Sequence, residues 1–167
     1  MVALGLLSAL SLHCGASSEH GTSSALRTAA AASHRPSASS AALEQAVFEQ
    51  VNGHRRARGL APLVLDPHLG HQARLHSLAM AAGTTPLGHE GFEDRIKALR
   101  HFMPCRRTAE NVAYNQGHRD PASAAVRGWL GSRAHRENIE GRYDLTGVGV
   151  ARNPEGEVFF TQIFVGR

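Results

Sequence analysis

Lysine is nearly missing from this chain. Lys97 is the only one among 18 basic side chains, so arginine carries the net charge of +4. The arginines are scattered. Their densest groups, Arg55-Arg56-Ala57-Arg58 and Arg106-Arg107, have no interleaved aromatics, and no helix-turn-helix or RNA-binding signature surrounds them. No nucleic-acid partner is expected; scattered charge reads as solvated surface, with a weak pull toward an anionic cell surface as the alternative. Aromatics make up 5% of the residues against 42% hydrophobic content, which leaves the core to aliphatics. Two cysteines, Cys14 and Cys105, provide no disulfide framework. His-Glu-x-x-His is absent, and so is the G-x-S-x-G elbow of serine hydrolases.

What remains, within 167 residues, is enough for one domain with a real core. Residues 1–16 hold an apolar run of about 12 residues followed by small ones, too short to span a bilayer but fitting a secretory segment. It has no positive n-region. Leu12-His13-Cys14-Gly15 resembles a bacterial lipoprotein box, although His13 departs from the small residue that box wants. Export is expected, with a lipid anchor at Cys14 as the only route to a membrane. Residues 17–39, rich in Ser, Ala, Gly, Thr and His without hydrophobic period, read as a flexible linker. The domain is expected over 40–167, as a monomer.

Within it, Leu43, Val47 and Val51 form the stripe of a helix over 41–58, with Ala46 beside it. Asp66-Pro67 starts a second helix by a cap followed by proline. Leu69, Ala73, His76 and Met80 give it one apolar stripe and Leu75, Leu78 and Ala82 another, which predicts a largely buried helix ending at Gly83. Phe92 to Phe102 reads as a short helix and Glu110 to Tyr114 as a strand. Asp120-Pro121 opens a third main helix with Ala122, Ala125, Val126, Trp129 and Leu130 inward, and the turn after it carries His135.

The end is β. Thr146 to Ala151 alternates branched residues with Gly147 and Gly149, leaving one face bare for another backbone to approach. After a turn at Asn153-Pro154-Glu155-Gly156, residues 158–165 are apolar on both faces, as in a sheet covered on both sides. The fold class predicted is α+β: a three-layer α-β-α sandwich around a mainly antiparallel sheet.

These pieces, in order, resemble the CAP superfamily (SCP/PR-1-like domains) in its bacterial form. They are Val51-Asn52 with Arg55 and Gly59-Leu60-Ala61-Pro62-Leu63; Asp66 with Leu69 and Ala73; and Gly88-His89 through Arg95-Ile96. Then come Ala109-Glu110-Asn111-Val112-Ala113, Trp129-Leu130 with Ser132, His135-Arg136 with Asn138-Ile139, and Thr146 to Val150 with Phe160-Thr161-Gln162. The likeness covers about residues 44–165 and implies a cleft lined by two histidines and two acids. Carried over by position, His89 and His135 are the histidines and Glu110 the first acid. Ser132 stands where the second acid is expected, and brings a hydroxyl without charge.

Two imidazoles and a carboxylate are plausible Zn²⁺ ligands, with His89 and His135 the metal candidates. The alternative is a brace in which Glu110 accepts hydrogen bonds from both imidazoles or from nearby backbone. A third reading makes Glu110 a general base with a histidine partner. Of the other histidines, His68, His71 and His76 share a helix without zincin spacing and read as surface. Cys105 reads as free and partly buried, and Trp129 as core.

The function expected is non-catalytic binding outside the cell or at its envelope, of a small ligand, peptide, lipid, metal or envelope component. Hydrolysis of a peptide or cell-wall bond, and a structural or adhesive surface role, are the rivals.

Overall fold

The computed structural model describes residues 38–167, and the compact unit is Ala38–Arg167. The export segment, Cys14 and nearly all of the linker lie outside the described residues. Ser39, expected as linker, caps the first helix: its side chain accepts from Ala42 N at 3.2 Å.

Five helices and four strands follow. They are α1 (Ser40–Ala57), β1 (Val64–Leu65), α2 (Pro67–Ala81), α3 (Phe92–Leu99), β2 (Arg107–Asn115), α4 (Pro121–Gly131), α5 (Arg133–Glu140), β3 (Leu145–Arg152) and β4 (Val158–Gly166). Both Asp-Pro starts work as the sequence predicts. The Asp66 carboxylate accepts from His68 N and Leu69 N, and that of Asp120 from Ser123 N, each satisfying amides that a helix start leaves open. Proline at the first helical position loses no bond there.

The sheet order is β1-β3-β4-β2. β3 and β4 form the terminal hairpin, β2 joins β4 antiparallel, and only β1 lies parallel, on β3. Helices α1, α4 and α5 cover one face around Val47, Val51, Trp129, Ile139, Phe160 and Phe164. Helices α2 and α3 cover the other around Leu69, Ala73, Ile96, Leu99, Ile163 and Val165. Adjacent residues of β4 therefore serve opposite layers, which is why both its faces are apolar. The whole is an α-β-α sandwich.

The bare face of β3 is used as expected. A Cβ on Gly147 would overlap Gly70 N and Leu69 C, and one on Gly149 would overlap Ala73 C and Arg74 N. Only glycine lets α2 lie this close to the sheet.

Three expectations need correction. Leu75 and Leu78 are 48% and 55% exposed and Ala82 is exposed too, so α2 buries one stripe rather than most of its circumference. A helix on the outer layer of a sandwich has only the sheet to pack on. The short helix ends at Leu99, not Phe102, and Phe102 turns outward to stack on His68 with ring centroids 4.1 Å apart. His76 is no surface residue: it is 4% exposed, in the same stripe as Leu69 and Ala73. Val64 and Leu65, to which the sequence assigns no element, form β1 and add two residues to the sheet edge. Cys105 is free and half-buried among the described residues, and Trp129 is core, its indole N–H donating to Val112 O at 3.1 Å.

Candidate functional site

β2 is the edge strand of the sheet, and its side chains alternate between the two layers. Glu110 falls on the α3 side and Asn111 on the α5 side. Groups from opposite layers can therefore meet around this edge, and the candidate residues are placed there.

His89 sits in the turn just before α3. Its Nδ1 lies 3.0 Å from Glu110 Oε1. Because a carboxylate gripped by a guanidinium only accepts, Nδ1 is the donor here, and Nε2 faces away from Glu110. The turn itself is fixed from beneath. His76 Nε2 donates to Gly88 O at 2.8 Å, and burial pushes the His76 imidazole below its ordinary pKa, favouring the neutral ring. Gly91 at the N-cap of α3 has φ +73°, a conformation disfavoured for other residues, and a Cβ there would come 3.3 Å from Arg95 Nη1.

Glu110 is not available to a substrate. Its side chain is 1% exposed, and Arg95 grips both oxygens: Nη2 is 2.9 Å from Oε1 and 2.8 Å from Oε2, with Nε 3.1 Å from Oε2. Arg95 Nη1 also donates to Glu90 O at 2.8 Å, tying the same guanidinium to the His89 turn. A carboxylate with a buried cation on one side and an imidazole on the other is an anchor. Both oxygens that a general base would need free are engaged, by Arg95 and by His89.

His135 is held differently. Its Nδ1 is 2.8 Å from Ser132 Oγ, one helical turn back, and not on Glu110. The brace in which Glu110 serves both imidazoles does not form; Ser132 has taken over the second one. Burial lowers the His135 pKa. α5 is pinned to β2 by a small amide network: Asn111 Nδ2 donates to His135 O at 3.1 Å, and Asn138 Nδ2 to Asn111 Oδ1 at 2.9 Å and to Glu110 O at 3.3 Å.

The zinc expectation meets the same geometry. Among the described residues no group of three or more His, Cys, Asp or Glu side chains is placed to hold a metal ion. Glu110, the third ligand, has both oxygens committed to Arg95 and His89, and the guanidinium beside it disfavours a second cation. The set does not fit tetrahedral zinc. What the site presents instead is a pair of imidazoles, His89 half-exposed and His135 half-buried, whose Nε2 atoms have no partner among the described residues.

Arg95 is the residue that sequence reasoning missed. It lies in the segment from Gly88-His89 through Arg95-Ile96. The signal was present: a buried carboxylate requires a cation, and Arg95 lies one turn after Phe92 and one turn before Leu99, both packed on the core.

The profile of the cysteine-rich secretory protein family (CAP) matches residues 48–164. An uncharacterized protein of Bacillus subtilis (strain 168), YkwD, is 31% identical over 129 residues, which are 75% of this chain and 48% of the relative. The chain thus spans about half the length of that curated relative. Among solved structures, an extracellular SCP-domain protein of Bacillus anthracis is 27% identical with a TM-score of 0.64, over 77% of this chain and 41% of that one. A cysteine-rich secretory protein of Staphylococcus aureus also reaches 0.64, at 22% identity, over 80% of this chain and 41% of its own. An outer surface protein of Borrelia burgdorferi does so at 19% identity, over 75% of this chain and 92% of its own.

Proposed function

The chain belongs to the cysteine-rich secretory protein (CAP) family, and on that footing we propose that it is a non-catalytic binding domain working outside the cytoplasm. Its recognition surface is the His89/His135 pair, with Ser132 and Glu110 as positioning residues. The location is supported by the extracellular Bacillus anthracis protein to which the chain is similar, and by the apolar segment in residues 1–16.

One observation carries the binding reading: Glu110 is 1% exposed with both oxygens engaged. Hydrolysis would need a base that can reach water or substrate. Here the carboxylate sets the tautomer of His89, and Ser132 sets the orientation of His135. Two imidazole nitrogens, held by separate braces, suit a ligand that offers polar atoms to two points, such as a short peptide or a small envelope component.

The test is thermal unfolding of the full chain with a cell-envelope extract, and separately with a short-peptide mixture, beside His89→Ala/His135→Ala. A rise in Tm that the double variant lacks supports the reading. No rise with any addition, or an equal rise in both proteins, overturns it. Turnover of a peptide or cell-wall substrate that disappears in Glu110→Gln with the fold intact would restore the enzymatic alternative.

A further inference from the structure

A second site lies near the C-terminal end of α5. A cavity of about 360 Å³ opens between the loop after α1, the α5–β3 connection and the adjoining ends of β2 and β4. Four arginines line it: Arg55, Arg107, Arg142 and Arg167. Only two acids do, Glu140 and Asp144, and both are already engaged. Glu140 Oε1 takes His54 Nε2 at 2.8 Å and Arg58 Nε at 3.5 Å; Asp144 takes Arg167 Nε at 2.6 Å and Arg167 N at 3.0 Å. Among the described residues no carboxylate lies within ion-pair distance of Arg55, Arg107 or Arg142.

Arg55 is the unusual one. It is 3% exposed, and it is held by carbonyls alone: Nε donates to Ala61 O at 2.8 Å, Nη1 to Ile139 O and Gly141 O at 2.7 and 2.9 Å. Nη2 makes one long contact, 3.4 Å to Tyr143 O. A guanidinium has five N–H donors, so one on Nη2 is left over. Carbonyl dipoles orient this charge without neutralising it. Tyr143, ring-packed on Phe164, lines the same cavity, and its hydroxyl has no hydrogen bond among the described residues. Burial pushes that phenol up in pKa, and Arg107 lines the same cavity.

We infer that this cavity binds a phosphate ester, with Arg107 and Arg142 as its charge contacts, Tyr143 as a hydroxyl donor and buried Arg55 as the fixed positive floor. Phosphate fits better than carboxylate because it brings close to two negative charges and three strong acceptors to a site with three unneutralised guanidiniums. The ester is a monoester, either a soluble phosphate compound or the headgroup of phosphatidic acid. The site is separate from His89 and His135, and its test does not depend on them.

The experiment uses the full chain. Its Tm is followed in sodium phosphate, acetate and chloride at matched ionic strength, for the unmutated protein, Arg107→Gln/Arg142→Gln, and the charge-matched control Arg119→Gln/Arg127→Gln. Phosphate is expected to raise Tm saturably in the first and the control, with apparent affinity at least about tenfold weaker in the pocket variant. Equal shifts with all three anions, or an unchanged response in the pocket variant, overturn the proposal. Amide NMR shifts of the unmutated chain give a second reading: changes on adding phosphate should centre on Gly141, Arg142 and Gly166, and changes elsewhere alone count against it. Sedimentation with phosphatidic acid–phosphatidylcholine vesicles separates the sources. Binding that excess phosphate reverses assigns a lipid headgroup; a phosphate response without vesicle binding assigns a soluble ester.

Discussion

Arg95 and Glu110 form a forked ion pair beneath the His89 turn, with Arg95 Nη2 2.9 and 2.8 Å from the two carboxylate oxygens. The arginine side chain is 10% exposed and the glutamate 1%. Two charges in that setting hold one another in place, and the pair's role is to present His89 rather than to react. Removing only Arg95 strands the carboxylate. Arg95→Met is therefore expected to cost about 3 kcal/mol or more, while Arg95→Met/Glu110→Leu recovers much of the loss. Urea unfolding of both variants checks it. A single variant within about 0.5 kcal/mol of the parent would mean the pair is hydrated in solution.

Stability should fall in two steps on acidification. Burial holds the folded imidazoles of His76 and His135 below their ordinary 6.5. The unfolded chain therefore takes up protons first as pH drops. The stability these groups contribute is full above about pH 6.5 and is lost as pH falls through their folded values. Asp120, bonded by Ser123, and Glu140, bonded by His54, are lowered from 3.8 and 4.5, so their contributions fade only at lower pH. His76→Gln, which keeps a donor for Gly88 O, should shrink the first step and leave the second. Urea midpoints between about pH 7 and about pH 3 make the comparison.

Much of this was legible in the chain, and what failed did so for identifiable reasons. Asp66-Pro67 and Asp120-Pro121 are local signals that depend on nothing distant, and both helices begin there. The glycine alternation of β3 was legible because a missing Cβ has few other uses at that spacing. Leu75 and Leu78 misled because periodicity reports which residues share a face, not whether a neighbour covers it. The pairing of Glu110 with Arg95 and of His135 with Ser132 could not come from spacing: a glutamate with three cationic or imidazole groups nearby in sequence order can satisfy any of them, and only the edge position of β2 decides.

Two glycines should respond with opposite sign to the same substitution. At Gly149 an added methyl meets the backbone of Ala73 and Arg74, and neither helix nor sheet can yield without moving the other. Gly149→Ala is expected to cost about 3 kcal/mol or more. At Gly128, inside α4, nothing lies within 4 Å of the position, and the helix gains from the loss of glycine's freedom. Gly128→Ala should stabilise by about 0.5–1 kcal/mol. Thermal unfolding of the two variants side by side tests the packing and the helix assignment together.

The sheet's other edge is closed by Glu44. β1 covers only Leu145 and Thr146 of β3, so the rest of that strand has no neighbour on its outer side. Glu44, reaching from α1, accepts from Val150 N at 3.2 Å, and Arg74 on α2 forks onto the same carboxylate, with Nε and Nη2 2.8 and 2.7 Å from Oε1 and Oε2. One side chain thus joins both helix layers and occupies a strand edge that could otherwise pair with a second chain. Glu44→Ala leaves the Val150 amide without its acceptor and removes the partner of a half-exposed arginine, a loss of about 1–3 kcal/mol. Arg74→Ala spares the amide and should cost less. Hydrogen exchange at Val150 separates the two effects: it should speed up in Glu44→Ala by more than the global stability loss explains, and in Arg74→Ala only in proportion to it. Equal protection at Val150 in both variants would show that the edge is closed by something other than the Glu44 carboxylate.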